Sequence, residues 1–226
     1  MIAGGKNNLI GISGKIGSGK DTVGNIIQML TQGIDSNTQI TEYVNGTNIT
    51  GFDYQIKKFA DTIKDIACML IGCTRAQLED QEFKQKELGE EWWYCVADDG
   101  SYIPYEQNLH KNKVVNLVKL TPRKLLQLLG TECGRQIIHP NIWVNSLFAD
   151  YKKDSNWIIT DVRFPNEAQA IKDKGGIMIR INRPLYRLDD QHPSETALDN
   201  YNFDYVIENE GNIDELVQKI KQLKLV

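Results

Sequence analysis

The chain has 226 residues, 41% of them hydrophobic, and 26 basic against 30 acidic side chains give a formal net charge of −4. That length supports one good core with a small lid or insertion, and the mild acidity provides no basic footprint for a nucleic-acid polymer. Cys68, Cys73, Cys95 and Cys133 show neither a C-x-x-C pairing nor a histidine at zinc-ligand spacing, and no apolar run approaches the length of a membrane span, so the expectation is a cytoplasmic protein with reduced thiols.

Leu9 to Ser13 reads as a buried strand. Directly after it stands Gly14-Lys15-Ile16-Gly17-Ser18-Gly19-Lys20-Asp21-Thr22, and Lys20 to Leu30 then carries Val23, Ile26, Ile27 and Leu30 on one helical face. A strand that ends in a glycine-rich turn and opens into a helix lets main-chain N–H groups converge on phosphate oxygens at the positive end of the helix dipole. Gly14, Gly19 and Lys20 fit the P-loop pattern G-x-x-x-x-G-K, which makes Lys20 the point charge for the β- and γ-phosphates. Asp21 stands where Ser or Thr ordinarily meets magnesium, and Thr22 follows one residue late.

Thr31 to Gly51 is polar and reads as a loop with a short strand near Thr41 to Val44. Tyr54 to Phe59 reads as a strand running into a helix with Ile63, Ile66, Ala67 and Leu70 on its apolar face. Thr74 and Gln77 form a capping-box pattern that opens a helix from Arg75 to about Leu88. Trp92 to Val96 and Tyr102-Ile103, separated by Asp98-Asp99-Gly100, read as a hairpin inserted into an α/β frame, while Tyr105 to Leu120 gives no clear pattern. Thr121-Pro122 starts a leucine-rich helix that breaks near Gly134. Helices are expected over about Ile142 to Tyr151, Asn166 to Lys174 and from Asn212 to Leu223, and strands at Trp157 to Val162, Ile177 to Ile181 and Tyr205 to Ile207. This alternation predicts a three-layer α/β sandwich: a mostly parallel central sheet with helices on both faces. The economical organisation is a single domain over 1–226, with an insertion around 74–120 and a lid-like loop around 183–200.

Ligands of open α/β sheets bind beyond the carboxyl ends of the strands, so the P-loop and Asp161 are expected to line one crevice. A carboxylate there suits Mg²⁺ through water, and the fork of Arg163 suits a phosphate; a structural Asp–Arg pair is the plainer alternative. Arg183 and Arg187, on a loop over the phosphates, would stabilise charge on the transferring group, or they belong to a solvated basic loop. Glu132 and Arg135, in the break after the leucine-rich helix, either recognise a second substrate, with Arg135 pairing with its phosphate, or flank a helix end as exposed charges. Trp143 either stacks on a base or belongs to the core. Lys58 and Lys64 bracket a strand-to-helix junction where an anion would fit, or are simply solvated.

Five segments, taken in order, resemble the deoxynucleoside monophosphate kinases of bacteriophages: Ser18-Gly19-Lys20-Asp21-Thr22; Lys58-Phe59-Ala60-Asp61-Thr62-Ile63-Lys64; Leu126-Gln127-Leu128-Leu129-Gly130-Thr131-Glu132; Asp161-Val162-Arg163 with Glu167; and Arg183-Pro184 with His192-Pro193-Ser194-Glu195. The resemblance implies a P-loop kinase fold and transfer of the γ-phosphoryl group of ATP, with Mg²⁺, to a deoxynucleoside 5′-monophosphate. It also implies Gly17, Gly19, Lys20, Asp21 and Thr22 at ATP, with Gly14 and Ser18 in the same loop. Lys64, Arg135, Trp143, Asp161, Arg163 and Glu167 would face the acceptor, with Glu132 beside them, and Lys20, Asp161 and Arg163 would be catalytic. Asp21, Thr22 and Asp161 would meet the metal, partly through water. The resemblance further suggests a homodimer, with the host cytoplasm as the setting for a phage-encoded enzyme. Another small-molecule P-loop kinase, acting on a phosphorylated isoprenoid or dephospho-coenzyme A, and a nucleotide-hydrolysing switch are the competing readings.

Overall fold

In the computed structural model, which describes residues 8–46, 49–105, 116–183, 193–223 and 225, the element order begins with β1 (Leu9–Gly14), α1 (Lys20–Thr31), α2 (Asn37–Val44) and β2 (Gln55–Lys57). It continues through α3 (Ala60–Ile71), α4 (Arg75–Glu79), α5 (Gln81–Gln85), a 3₁₀ turn at Glu90–Trp92, β3 (Tyr94–Val96), β4 (Tyr102–Pro104), β5 (Asn116–Val118) and α6 (Pro122–Gln127). A π-helical stretch, Leu128–Ile138, precedes α7 (Ile142–Leu147). The remaining elements are β6 (Trp157–Val162), α8 (Pro165–Asp173), β7 (Ile177–Asn182), α9 (Pro193–Thr196), β8 (Tyr205–Glu208) and α10 (Ile213–Gln222). Two compact units result, one from the segments up to Phe59 and from Val144 onward, the other from Ala60–Trp143.

The first unit is an α/β layer structure around a five-stranded parallel sheet of order β2-β6-β1-β7-β8. Its layers follow from the two-residue period of a strand. Ile10, Ile12, Ile158, Ile179 and Ile181 face one cluster, where they meet Val23, Ile26 and Ile27 of α1 and Leu216, Val217 and Ile220 of α10. Their neighbours Leu9, Trp157, Ile159 and Met178 face the opposite cluster, with Ala168 and Ile171 of α8. With both faces covered, the strands read as continuous apolar runs rather than alternating ones.

Close approach explains one glycine inside a helix. A Cβ at Gly24 would lie 2.5 Å from the Thr160 side chain, so α1 seats on β6 only where that atom is missing. Pairing of β1 with β6 slips between Gly11 and Ser13, which face Ile159 and Val162, so β6 carries one extra residue at Thr160–Asp161. Such a bulge re-aims the side chains that follow it. After it, Val162 joins the cluster of Trp157 and Ile159 instead of alternating away from it.

The second unit packs Ala67, Leu78, Leu120 and Leu125 into its own core beside an antiparallel sheet of order β4-β3-β5.

Four expectations change. Thr41 to Val44 is helical within α2, because Ile40, Tyr43 and Val44 share a face at positions i, i+3 and i+4 and pack into the core. The helix expected from Arg75 to Leu88 breaks at Asp80, whose carboxylate accepts the Phe83 N–H at 2.7 Å and starts α5 afresh. The hairpin gains a third strand, β5, from the segment that gave no pattern. The leucine-rich helix continues as the π-helical stretch instead of breaking near Gly134; a Cβ there would lie 2.4 Å from the Leu129 carbonyl and 2.7 Å from the Trp143 ring. Half of the expected lid-like loop, including Arg187 and His192, lies outside the described residues.

Candidate active site

The turn between β1 and α1 is shaped by two left-handed glycines, Gly17 at φ 76° and Gly19 at φ 94°. Gly14 supplies clearance instead, since a Cβ there would lie 2.5 Å from Ser18 Oγ and 2.6 Å from the Ile181 carbonyl. Lys20 folds back over the loop, its Nζ donating to the carbonyls of Gly14 at 2.7 Å and Lys15 at 2.8 Å. Burial, then the nearby Arg163 guanidinium, lowers its pKa from 10.5 to about 8, against the opposing pull of Asp21 and Asp161. Lys20, Asp21, Asp161 and Arg163 thus stand near one another at the ends of β1 and β6, close enough for each of the other three to act on the charge of Lys20.

Asp21, on the first turn of α1, accepts the Thr160 hydroxyl at 2.6 Å and pairs with Lys58 at 2.8 Å. Desolvation pushes its pKa up, but the hydrogen bonds from Lys58 and Thr160 outweigh it and hold the carboxyl below its usual value. Asp161 Oδ1 accepts the Phe59 N–H at 2.8 Å, so the carboxylate at the bulge also anchors the residue at the end of β2's connection. β6 ends at Val162, which puts Arg163 in the turn before α8. Glu167 is 2% exposed and accepts the N–H groups of Arg163 at 2.7 Å and Phe164 at 3.0 Å, shaping that turn.

A cleft of about 760 Å³ opens beside the loop. Gly19 and Thr22 line it from the phosphate side, Thr41 and Val44 from α2, and Arg183 and Asn209 from the segments after β7 and β8. Asn209 is buried and donates from Nδ2 to the Ser18 carbonyl at 2.9 Å, tying the segment after β8 to the P-loop.

The other proposed acceptor residues belong to the second unit. Lys64 pairs with Glu79 at 2.5 Å, and Glu132 with Lys124 at 3.7 Å. Arg135 lies partly buried in the π-helical stretch. Trp143 is 4% exposed and donates from Nε1 to the Gly130 carbonyl at 2.8 Å, its ring against Gly134. Lys84 has its pKa lowered by burial and by Lys64 and Arg123, despite the attraction of Glu79. Two buried atoms here, Arg123 Nε and Glu132 Oε2, have no hydrogen-bond partner among the described residues. Lys64, Lys84 and Arg123, with the unsatisfied Arg123 donor, have the composition of an anion site, whereas the free Glu132 oxygen suits a hydrogen-bond donor.

Among the described residues, no group of three or more His, Cys, Asp or Glu is arranged to hold a metal. The hard oxygens of Asp21, Thr22 and Asp161 suit instead a Mg²⁺ that arrives on nucleotide phosphates and keeps several waters.

Sequence reasoning missed Thr160, Asn209, Lys84 and Arg123, and gave Lys58 only a weak signal. Thr160 precedes the carboxylate that drew attention, and Asn209 follows a strand in a polar run; neither spacing marks a partner far away in sequence.

A parallel sheet whose first strand feeds a glycine-rich turn, with a lysine folded over that turn and a carboxylate at the end of the neighbouring strand, defines a P-loop nucleotide-binding protein. The family described as deoxynucleotide monophosphate kinase matches residues 35–220, and the chain belongs to it. It is 29% identical over 225 residues to the deoxynucleoside-5′-monophosphate kinase of Escherichia phage T5, covering 84% of each chain. It is 27% identical over 226 residues to a putative deoxynucleotide monophosphate kinase of Acanthamoeba polyphaga mimivirus, covering 94% of this chain and 93% of that protein. A third relative, the deoxynucleotide monophosphate kinase of Enterobacteria phage T4, is 30% identical over 120 residues, or 49% of this chain and 50% of its own. Among the described residues, no helix is long and apolar enough to cross a membrane.

Proposed function

We propose that this chain transfers the γ-phosphoryl group of MgATP to a deoxynucleoside 5′-monophosphate, forming ADP and the diphosphate. The observation that carries the reading is the glycine-rich turn with Lys20 folded over it and Asp21 held beside it by Thr160 and Lys58. The P-loop amides hold the β-phosphate, Lys20 spans the β- and γ-oxygens, and Arg163 receives charge from the group in transfer. Mg²⁺ supplies further neutralisation of the triphosphate when bound, with Asp21, Thr22 and Asp161 orienting its waters. The cleft lined by Arg183, Asn209 and Asn212 takes the nucleoside of the donor.

Lys64, Lys84 and Arg123, with Arg135, form the acceptor side and bind the monophosphate. That phosphate is already ionised at neutral pH and is itself the nucleophile. No strong base is needed, because phosphoryl transfer of this kind depends on positioning and charge stabilisation. The reading sets the enzyme in a host cytoplasm, which relatives from phages and a mimivirus support.

The test is incubation with MgATP and each common dNMP and NMP, followed by separation of the products. ADP and a diphosphate should appear together, only when an acceptor is present. Lys20→Ala should reduce the rate by about 10²–10³-fold or more with the fold intact. ADP formation independent of every acceptor, or near-full activity of Lys20→Ala, refutes the proposal.

A further inference from the structure

Glu195, on the one-turn helix α9, is a buried carboxylate with its side chain 3% exposed. A charge that deep persists only when both oxygens are engaged. Its Oε2 accepts the main-chain N–H of Ile16, inside the P-loop, at 2.9 Å. Its Oε1 forms an ion pair with the guanidinium of Arg163. One side chain therefore holds a loop 179 residues away in sequence and an arginine 32 residues away.

Arg163 is thus gripped twice by buried carboxylates. Glu167 takes its main-chain N–H at 2.7 Å and Glu195 takes its head group. The second grip matters because the guanidinium stands close enough to Lys20 to lower the pKa of that ammonium. Left to itself, an arginine beside another partly buried cation swings toward solvent. An anchoring carboxylate keeps it facing the phosphates before any nucleotide arrives, which is the preorganisation that phosphoryl transfer requires.

We propose that Glu195 is a positioning residue for the transfer step, its carboxylate fixing Arg163 and the P-loop in one relative placement. This inference rests on the kinase reading above and adds a residue that touches neither nucleotide in it. Glu195→Gln separates the two functions of the carboxylate: the amide oxygen still accepts the Ile16 N–H, but the charge that holds Arg163 is gone.

The experiment is a double-mutant cycle in kcat, with Glu195→Gln made in the native chain and in Arg163→Ala. Saturating MgATP and a deoxynucleoside monophosphate accepted by the native chain are used, and thermal melts accompany each variant. In the native background Glu195→Gln should lower kcat by roughly 10–100-fold while KM for ATP changes by less than about threefold. In the Arg163→Ala background it should cost less than about twofold further, because the arginine it positions is absent. Glu195→Asp, which keeps the charge on a shorter arm, should recover part of the loss.

An unchanged kcat, or the same proportional loss in both backgrounds, overturns the proposal and leaves Glu195 a purely structural group. If Glu195→Gln lacks a cooperative melt, the same cycle is run with Glu195→Asp and the same criterion decides. A native chain that makes no diphosphate from any monophosphate removes the kinase reading and this inference with it. An active native chain with undiminished Glu195→Gln removes only the inference.

Discussion

Above pH 8 the P-loop lysine should lose its charge in the free protein, and nucleotide affinity should fall with it. Burial, and then the Arg163 guanidinium, bring Lys20 down from 10.5 to about 8. The charged form is the one that binds phosphate, so affinity is complete below that value and lost as pH rises through it. The apparent dissociation constant then scales as 1 + 10^(pH − pKa), about 1.1 at pH 7, 2 at pH 8 and 11 at pH 9. A lysine of ordinary pKa would change affinity by only about 3% at pH 9. Titration calorimetry of MgATP, in pairs of buffers with different ionisation enthalpies, measures both the affinity and the protons taken up. Roughly half a proton should be taken up on binding at pH 8, as the phosphates restore the ammonium. Lys20→Arg provides the control, because a guanidinium stays charged throughout this range and should flatten the profile. A native dissociation constant that is flat from pH 7 to 9, with no proton uptake, would refute the reasoning.

Gly19→Ala forces a side chain to a φ of 94° and puts its Cβ 2.7 Å from Asn209 Nδ2, so it should disrupt the buried bond from Asn209 to the Ser18 carbonyl. The strain, about 1–2 kcal/mol, and the broken bond, about 1–3 kcal/mol, should together lower stability by roughly 2–5 kcal/mol in denaturant melts. Lys58→Met removes one of the two hydrogen bonds that lower the Asp21 pKa and leaves desolvation pushing it up. The acid limb of a kcat/KM profile should therefore move to higher pH, since Asp21 would become protonated sooner as pH falls. Trp143→Phe deletes the N–H that satisfies the Gly130 carbonyl and should cost about 1–3 kcal/mol of stability. KM for the monophosphate should stay within about twofold, because the ring is packed against Gly134; a larger rise would show that the ring contacts the acceptor.

What could be read from the chain is what local chemistry controls. Gly17 and Gly19 adopt left-handed backbone, and Lys20 opens a helix, because those requirements are written within nine consecutive residues. The Thr74–Gln77 capping box and the Thr121-Pro122 start are likewise three-residue or shorter relations, and both stand in the structure. The apolar runs of β1, β6 and β7 announced a sheet covered on both faces because burial leaves few polar positions along them. Asp161 and Arg163 drew attention for the same reason, as charges that interrupt such a run.

Other features required the chain to fold first. Polar composition hid α2, whose single buried isoleucine becomes informative only once the core beside it exists. The extra residue in β6 is invisible until β1 supplies the register that it breaks. Asp21 looked like a departure from the P-loop pattern, and only the fold supplies Thr160 and Lys58 to hold it. The same holds for Asn209 against Ser18 and Glu195 against Ile16 and Arg163, pairs separated by 191, 179 and 32 residues. By itself the sequence determined a phosphate-binding turn on an α/β sheet. Tertiary structure alone decided how its charges are aimed, because a buried ion's partner is chosen by which groups the packed sheet brings within hydrogen-bond reach, and not by their distance along the chain.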